Sequence, residues 1–157
     1  MAKSPEFSST ASDIEDSPEA VFQFMLEQGW SDGLPVIPPT ADRVRAMLDY
    51  AQRDAGELIG YINPDAGSAT VEKIAVNAVM AGCLPEYMPV LIAAVQAITE
   101  PSFNIHGLQT TTNPVSPLLI VNGPVRDLIG LNSGRGTLGP GYRANATIGR
   151  AIRLLLL

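Results

Sequence analysis

Two consecutive apolar segments in the middle of the chain constrain its fold most strongly. Thr70 is placed to cap a helix in which apolar residues recur at i, i+3, i+4, i+7 and i+8, and the opposite face is apolar too. Gly82 ends this helix, and Pro85 and Pro89 begin a second one that reaches about Ile98. Because a helix that is apolar on nearly all sides has to be covered, the sequence predicts two central buried helices joined by a tight turn.

The segments on either side predict a helix-rich α/β fold. The remaining predicted elements are helices over residues 17 to 28, 40 to 51, 124 to 131 and 143 to 157, and strands over residues 57 to 62 and 118 to 121. Residues 101 to 109 are predicted to be extended, and residues 132 to 141 to form a glycine-rich loop. Since the apolar run at residues 118 to 121 is typical of a central strand, we expect a small, mostly parallel or mixed sheet.

The length of 157 residues suits one domain, which we place at residues 17 to 157 after a flexible tail at residues 1 to 16. Charged residues make up only 17% of the chain against 46% hydrophobic residues. A domain with so few charges has little material to cover its surface. Buried faces beyond a single small core are therefore expected.

The last four residues are all leucines, and they lie at the end of a predicted helix that has no glycine cap. Consecutive helical residues point in directions about 100° apart, so four in a row cannot share one face. At least one of them has to find a second surface. We therefore expect an incomplete domain or one subunit of a larger assembly, with the C-terminal helix contacting a second copy or a partner subunit.

Charge and cysteine content limit the partners and the compartment. The net charge of −6 repels polyphosphate and anionic lipid, which argues against nucleic acid and membranes as partners. No apolar stretch has the length of a membrane span, and the N-terminus lacks the apolar core of a signal peptide. A single cysteine excludes an intramolecular disulfide, so we expect a cytoplasmic protein.

Cys83 is the strongest candidate for chemistry because it lies between the two buried helices, just before the second one starts. Amide groups at a helix N-terminus stabilise a thiolate, so we regard Cys83 as a candidate nucleophile, with Glu86 and Asn77 nearby. The alternative is a small buried cysteine that serves packing. His106, the single histidine, is a candidate general base or a structural histidine, and it has no partners at metal-ligand spacing.

A second candidate site is the sequence GRGTLG at residues 134 to 139, which precedes a helix. Its amides would bind an anion, with Arg135, Arg143 and Asn145 as substrate-binding residues. A dinucleotide site is disfavoured, because a helix separates this loop from the preceding strand and no acidic residue follows at the required spacing. The alternative is a plain flexible loop.

Three further polar residues are substrate-binding candidates. Thr111 and Asn122 lie at the ends of predicted strands, where open α/β sheets bind ligands, although both also suit turns. Asp32 is the single ionisable group in the proline-rich passage at residues 30 to 40. It is either a carboxylate that lines a site or part of a structural arm.

Three stretches resemble a family of largely uncharacterised bacterial proteins. They are residues 30 to 40, ATVEKIAVNAVMAGCLPEYMP at residues 69 to 89, and the stretch from residue 122 onward that contains NGP, LGPG and RANATIGRA. That family is associated with, and sometimes joined to, UGSC-type (seleno)proteins that resemble thiol-disulfide oxidoreductases. The resemblance covers most of residues 30 to 157. It implies a longer parent protein and a redox partner whose cysteine or selenocysteine meets Cys83, but it assigns no residue a role, and the UGSC motif itself is absent from this chain.

Two functional hypotheses follow. The first is an enzyme domain or subunit that acts on a small, anionic organic substrate, with Cys83 as its reactive thiol and an oxidoreductase-like reaction. The second is a noncatalytic structural or assembly subunit of a larger enzyme complex. Neither hypothesis specifies a cofactor, and a metal site within the chain is not expected.

Overall fold

The computed structural model describes residues 7 to 157, in which helices predominate and two short strands form one hairpin. The helices are α1 (Pro18–Glu27), α2 (Ala41–Ala51), α3 (Val71–Ala81), α4 (Met88–Thr99), α5 (Ile105–Thr110), α6 (Pro124–Leu128) and α7 (Arg143–Leu155). The strands are β1 (Leu58–Ile62) and β2 (Gly67–Thr70), and single-turn 3-10 helices cover Pro85–Tyr87 and Pro101–Phe103. The helix-rich α/β class predicted from the sequence is confirmed.

Helices α3 and α4 form the centre of the core, as predicted. The Thr70 hydroxyl caps α3 by accepting a hydrogen bond from the Lys73 N–H at 3.3 Å. Gly82 ends the helix with a φ of 89°, a left-handed conformation that glycine adopts without strain. Helix α3 packs against α2, α4 and α7, and side chains such as Ala78 and Val95 are fully buried. Covering α3 on several sides satisfies its nearly all-round apolar surface.

The sheet differs from the prediction. Strands β1 and β2 pair antiparallel, with Leu58 opposite Thr70, so the expectation of a mostly parallel or mixed sheet is wrong. The predicted central strand at residues 118–121 pairs with no other strand in the described part of the chain. Its Leu118 and Ile120 side chains are 74% and 79% exposed. A continuous apolar run becomes a central strand only where other elements cover it, and no described element covers these two side chains.

Residues 101 to 109 are largely helical, so the prediction of an extended segment is wrong. The 3-10 helix Pro101–Phe103 leads into α5, where the Asn104 Oδ1 accepts a hydrogen bond from the Gly107 N–H at 3.3 Å. Asn104 has a left-handed φ of 57°, which asparagine tolerates. Asparagine is among the best N-cap residues, so this cap was the signal that the extended interpretation overlooked.

The segment that precedes α1 is attached to α3 by a buried carboxylate. Glu72 is 2% exposed, and it accepts hydrogen bonds from the Ser8 and Ser9 N–H groups at 2.9 and 2.8 Å and from the Ser8 hydroxyl at 2.8 Å. Burial raises the pKa of Glu72, but these hydrogen bonds outweigh burial and hold the pKa below its ordinary value. Residues 7–16 contain no helix or strand, and residues 1–6 of the predicted tail lie outside the described residues.

The four C-terminal leucines have different surroundings. Leu154 and Leu156 are buried, Leu155 is half-buried and Leu157 is 58% exposed. The Gln109 side chain holds this end by donating a hydrogen bond to the Leu156 carbonyl oxygen at 2.6 Å. The core therefore buries two of the four leucines and leaves Leu157, which follows the end of α7, largely in solvent.

Candidate functional site

Cys83 lies in the turn between α3 and α4, directly after the glycine that ends α3. The residue is 5% exposed. Burial raises the pKa of its thiol from the ordinary 9.0 to about 11, while a hydrogen bond with Thr147 and the positive charge of Arg143 lower the pKa by less. The thiol is therefore protonated at neutral pH. Since the thiolate is the nucleophilic form of cysteine, the raised pKa disfavours Cys83 as a nucleophile in this conformation.

Arg143, the first residue of α7, connects that helix to the same turn. Its Nε donates a hydrogen bond to the Gly82 carbonyl oxygen at 2.9 Å. Burial raises the pKa of the neighbouring Tyr87, Arg143 lowers it, and Cys83 and Glu86 raise it again. The Oε2 atom of Glu86 is buried and has no hydrogen-bond partner among the described residues. The fold thus brings the predicted Cys83, Glu86 and Arg143 to one place.

Two members of this group, Tyr87 and Thr147, were not predicted from the sequence. Thr147 lies one helical turn after Arg143, and its hydroxyl donates a hydrogen bond to the Arg143 carbonyl oxygen at 2.8 Å. The i, i+4 spacing was the available signal, because it puts both side chains on one face of a helix. We call the five residues Cys83, Glu86, Tyr87, Arg143 and Thr147 the Cys83 cluster. It combines a buried thiol with hydrogen-bonding and charged groups, and the raised pKa of that thiol disfavours nucleophilic attack.

The glycine-rich loop consists of turns and bends, but three of its amides are already used. The N–H groups of Gly134, Thr137 and Gly139 donate hydrogen bonds to oxygen atoms of the loop itself, at 3.0, 3.2 and 2.8 Å. A loop that binds an anion through its backbone has to leave these donors free. The predicted anion contact therefore lacks three of its expected donors in this conformation.

Asn145 serves the same loop from α7. Its Oδ1 accepts a hydrogen bond from the Asn132 N–H at 2.9 Å, and its Nδ2 donates to the Asn132 and Thr137 carbonyl oxygens at 2.9 and 3.1 Å. The side-chain amide is thus engaged on both atoms, which fixes the loop against α7. Arg135 is exposed at the outer side of the loop.

Asp32 forms an ion pair with Arg150 of α7 across 118 positions of sequence. The Nε and Nη2 atoms of Arg150 each donate to one carboxylate oxygen at 2.9 Å, and Nη2 also donates to the Leu34 and Pro35 carbonyl oxygens at 3.2 and 2.9 Å. The hydrogen bond from Arg150 lowers the pKa of Asp32, and burial acts in the opposite direction. The pair attaches the proline-rich segment to α7. This supports the interpretation of Asp32 as part of a structural arm.

The other predicted site residues do not come together. Asn77 donates a hydrogen bond to a carbonyl oxygen one turn earlier in α3 at 2.9 Å, and the Thr111 hydroxyl oxygen accepts one from the amide two residues later at 3.2 Å. His106 lies exposed on α5, and Asn122 lies exposed before α6. The interpretation of Thr111 and Asn122 assumed a sheet edge at residues 118–121. Because no described strand pairs with these residues, the described part of the chain has no sheet edge there.

Two surface cavities of about 620 Å³ each lie away from the Cys83 cluster. One is formed by β1 and the C-terminal end of α4, and the other lies between α5, residues 113–119 and α7. No residue of the Cys83 cluster lines either cavity. Among the described residues, no group of three histidine, cysteine, aspartate or glutamate side chains is arranged to hold a metal ion.

Comparisons of the chain with protein-family models, curated proteins and solved structures gave no match. The resemblance to proteins associated with UGSC-type (seleno)proteins therefore stays a prediction, and the function has to be inferred from the geometry. Within the part of the chain that the structure describes, no helix has both the length and the apolar character needed to cross a membrane.

Proposed function

We propose that this chain is a noncatalytic assembly component of a larger enzyme complex, which acts by binding another protein surface. One observation carries the proposal: three apolar side chains at and near the run of residues 118–121 are exposed. Val115, Leu118 and Ile120 are 51%, 74% and 79% exposed. Leaving a leucine or isoleucine in water forgoes roughly 1.5 to 3 kcal/mol of burial free energy, so adjacent exposed side chains of this kind are typical of an interaction site.

The groups that would carry chemistry support the same proposal, because most of them already have structural partners. Cys83 is buried and protonated, Asp32 is paired with Arg150, and Asn145 is bonded on both side-chain atoms. An active site in a preformed state offers free polar groups that converge on a cavity. These residues instead hold helices and loops together.

A double substitution tests the assembly role. Leu118→Ser with Ile120→Ser removes the exposed apolar side chains and leaves the core intact, so the thermal midpoint should change little. The unaltered chain should associate, or bind a hydrophobic dye, in sedimentation and fluorescence experiments at micromolar concentration. The double variant should do so less. Leu34→Ser, at a residue that is 57% exposed elsewhere, is the matched control and should behave like the unaltered chain. Equal behaviour of all three proteins contradicts the proposal.

A thiol-dependent enzyme that acts on a small anionic substrate is the second candidate. Two observations favour it: Arg143 places a positive charge near Cys83, and the Glu86 Oε2 atom is buried without a partner among the described residues. In that role, substrate or a partner protein would have to lower the pKa of the thiol by several units. Alkylation of the folded protein separates the two candidates, since an activated thiol reacts at neutral pH and a buried protonated thiol does not.

The proposed location is the cytoplasm. The chain has one cysteine, so it forms no intramolecular disulfide, and a reducing compartment suits a free thiol.

A further inference from the structure

The backbone of residues 116–122 has no hydrogen-bond partner in the described part of the chain. None of its N–H or carbonyl groups takes part in a backbone hydrogen bond, and no side chain bonds to them. Backbone polar groups require partners, so water has to satisfy these groups while the segment is uncovered. A row of unpaired backbone groups is the feature that an incoming β-strand recognises.

The exposure of these residues alternates along the chain. Ser116, Leu118, Ile120 and Asn122 are exposed, whereas residues 117, 119 and 121 are half-buried. A period of two is that of an extended strand, in which successive side chains point to opposite faces. Leu119 packs against the core. The segment is thus attached along one face and presents the other to solvent.

One edge of this segment has a backbone N–H donor at every residue. In an extended chain, the N–H and carbonyl groups of alternate residues point to the same edge. The edge formed by Ser116, Leu118, Ile120 and Asn122 has all four N–H donors. The opposite edge lacks one, because Pro117 has no N–H. A strand that pairs here should therefore use the even-numbered edge.

The composition of the segment suits a second copy of the same strand. No charged side chain occurs between residues 107 and 125, so two copies meet without like charges facing each other, although each chain carries a net charge of −6. An acidic or basic partner strand would find no counter-charge along these residues. An apolar and uncharged strand that is free along one edge is complementary to itself.

We infer that residues 116–122 pair antiparallel with the same residues of a second copy, about a two-fold axis at Leu119. This inference rests on the proposed assembly role and specifies the partner and the mode of contact. Leu118 then lies opposite Ile120 of the partner subunit, and the two residues exchange both backbone hydrogen bonds. Pro117 lies opposite Val121 of the partner subunit, in a pair that needs no N–H from proline. The two-fold axis repeats every contact, which closes the assembly at two chains.

Two proline substitutions test the pairing. Ile120→Pro removes a donor from the even-numbered edge twice per dimer, so it should weaken dimerisation roughly tenfold to hundredfold in sedimentation velocity over a micromolar concentration series. Val121→Pro is the matched control, because its N–H belongs to the opposite edge, and it should dimerise like the unaltered chain. Circular dichroism should show both variants folded, since neither substitution removes a hydrogen bond that the single chain makes.

Amide hydrogen exchange gives a second readout on the unaltered chain. The amides of Leu118 and Ile120 should be protected increasingly with concentration, while those of Leu119 and Val121 stay unprotected. A monomer throughout the micromolar range overturns the inference, as does equal dimerisation of both proline variants, which would place the interface elsewhere. If the chain is monomeric but Leu118→Ser with Ile120→Ser still lowers dye binding, the second copy is excluded and the assembly role stands with a different partner.

Discussion

Replacing Arg150 by methionine removes the link between α7 and the proline-rich segment while keeping an apolar stem of similar length. The change deletes two hydrogen bonds to Asp32 and two to the Leu34 and Pro35 carbonyl oxygens. Asp32 then keeps the hydrogen bond from the Leu34 N–H at 3.2 Å and stays in a site where its side chain is 14% exposed. A carboxylate left there without its cation destabilises the folded state.

The expected cost follows from the burial of the pair. Breaking a fully buried ion pair costs about 3 to 5 kcal/mol, and an exposed pair contributes about 0 to 1 kcal/mol. The Arg150 and Asp32 side chains are 21% and 14% exposed, which lies between these limits. We therefore expect Arg150→Met to lower the free energy of unfolding by about 2 to 3 kcal/mol, or the melting temperature by roughly 5 to 10 °C for a domain of this size.

Urea unfolding followed by the fluorescence of Trp30, the single tryptophan, and by circular dichroism measures this loss. The pKa of Asp32 is lowered in the folded protein. The pair therefore contributes its full free energy to folding above the ordinary aspartate pKa of about 3.9, and this contribution is lost as the pH falls through the folded-state pKa. The difference between Arg150→Met and the unaltered chain should therefore shrink in acid.

Arg153→Met is the matched control, since Arg153 is exposed on the same helix, and it should change the free energy of unfolding by less than about 0.5 kcal/mol. A loss of that small size for Arg150→Met at neutral pH would refute the assignment of Asp32 and Arg150 as a stabilising pair. A difference that does not change with pH would also contradict it.

Three further substitutions test other contacts. Glu72→Gln should lower the free energy of unfolding by about 1 to 3 kcal/mol and speed hydrogen exchange at the two serine amides that donate hydrogen bonds to Glu72. Because the pKa of Glu72 is lowered in the folded protein, the difference in stability should vanish as the pH falls below the folded-state pKa. Unchanged exchange at these amides would contradict the contact. Gly60→Ala should lower the free energy of unfolding, measured in urea, by about 1 to 3 kcal/mol, because the added Cβ would lie 2.4 Å from the Thr99 hydroxyl oxygen. Gly149→Ala is the control, since its Cβ would meet open space in α7, and it should be neutral or stabilise by about 0.5 to 1 kcal/mol. Equal effects of the two substitutions would show that the Thr99 contact is relieved.

The α-helices other than α5 were predictable because their signals are local. Ser17, Thr70 and Gly82 lie next to the helices that they cap or end, and the apolar period of α3 runs without interruption. The apolar run at residues 118–121 was misassigned for a physical reason. Its composition is that of a central strand, but whether other strands cover it depends on elements distant in sequence or on another chain.

The candidate site was predictable only in part. Local patterns identified Cys83 and Glu86 as one candidate site, because they are three positions apart, and Arg143 as part of another, because it follows the glycine-rich loop. The pairing of Asp32 with Arg150 spans 118 positions, and no local pattern indicates which of two distant charges meet. The acidity of a thiol depends on three-dimensional burial, so the sequence left open whether Cys83 is a nucleophile or a buried cysteine that serves packing.

The reactivity of Cys83 toward iodoacetamide in the folded protein tests most directly the claim that this chain carries out no thiol chemistry. A thiol pKa of about 11, against the ordinary 9.0, reduces the thiolate fraction near neutral pH roughly 100-fold, and burial of the side chain hinders access further. We predict alkylation at least that much slower than in the urea-unfolded chain, with a rate that still rises above pH 10. Rapid alkylation at neutral pH with an apparent pKa below about 8.5 would contradict this and favour the thiol enzyme.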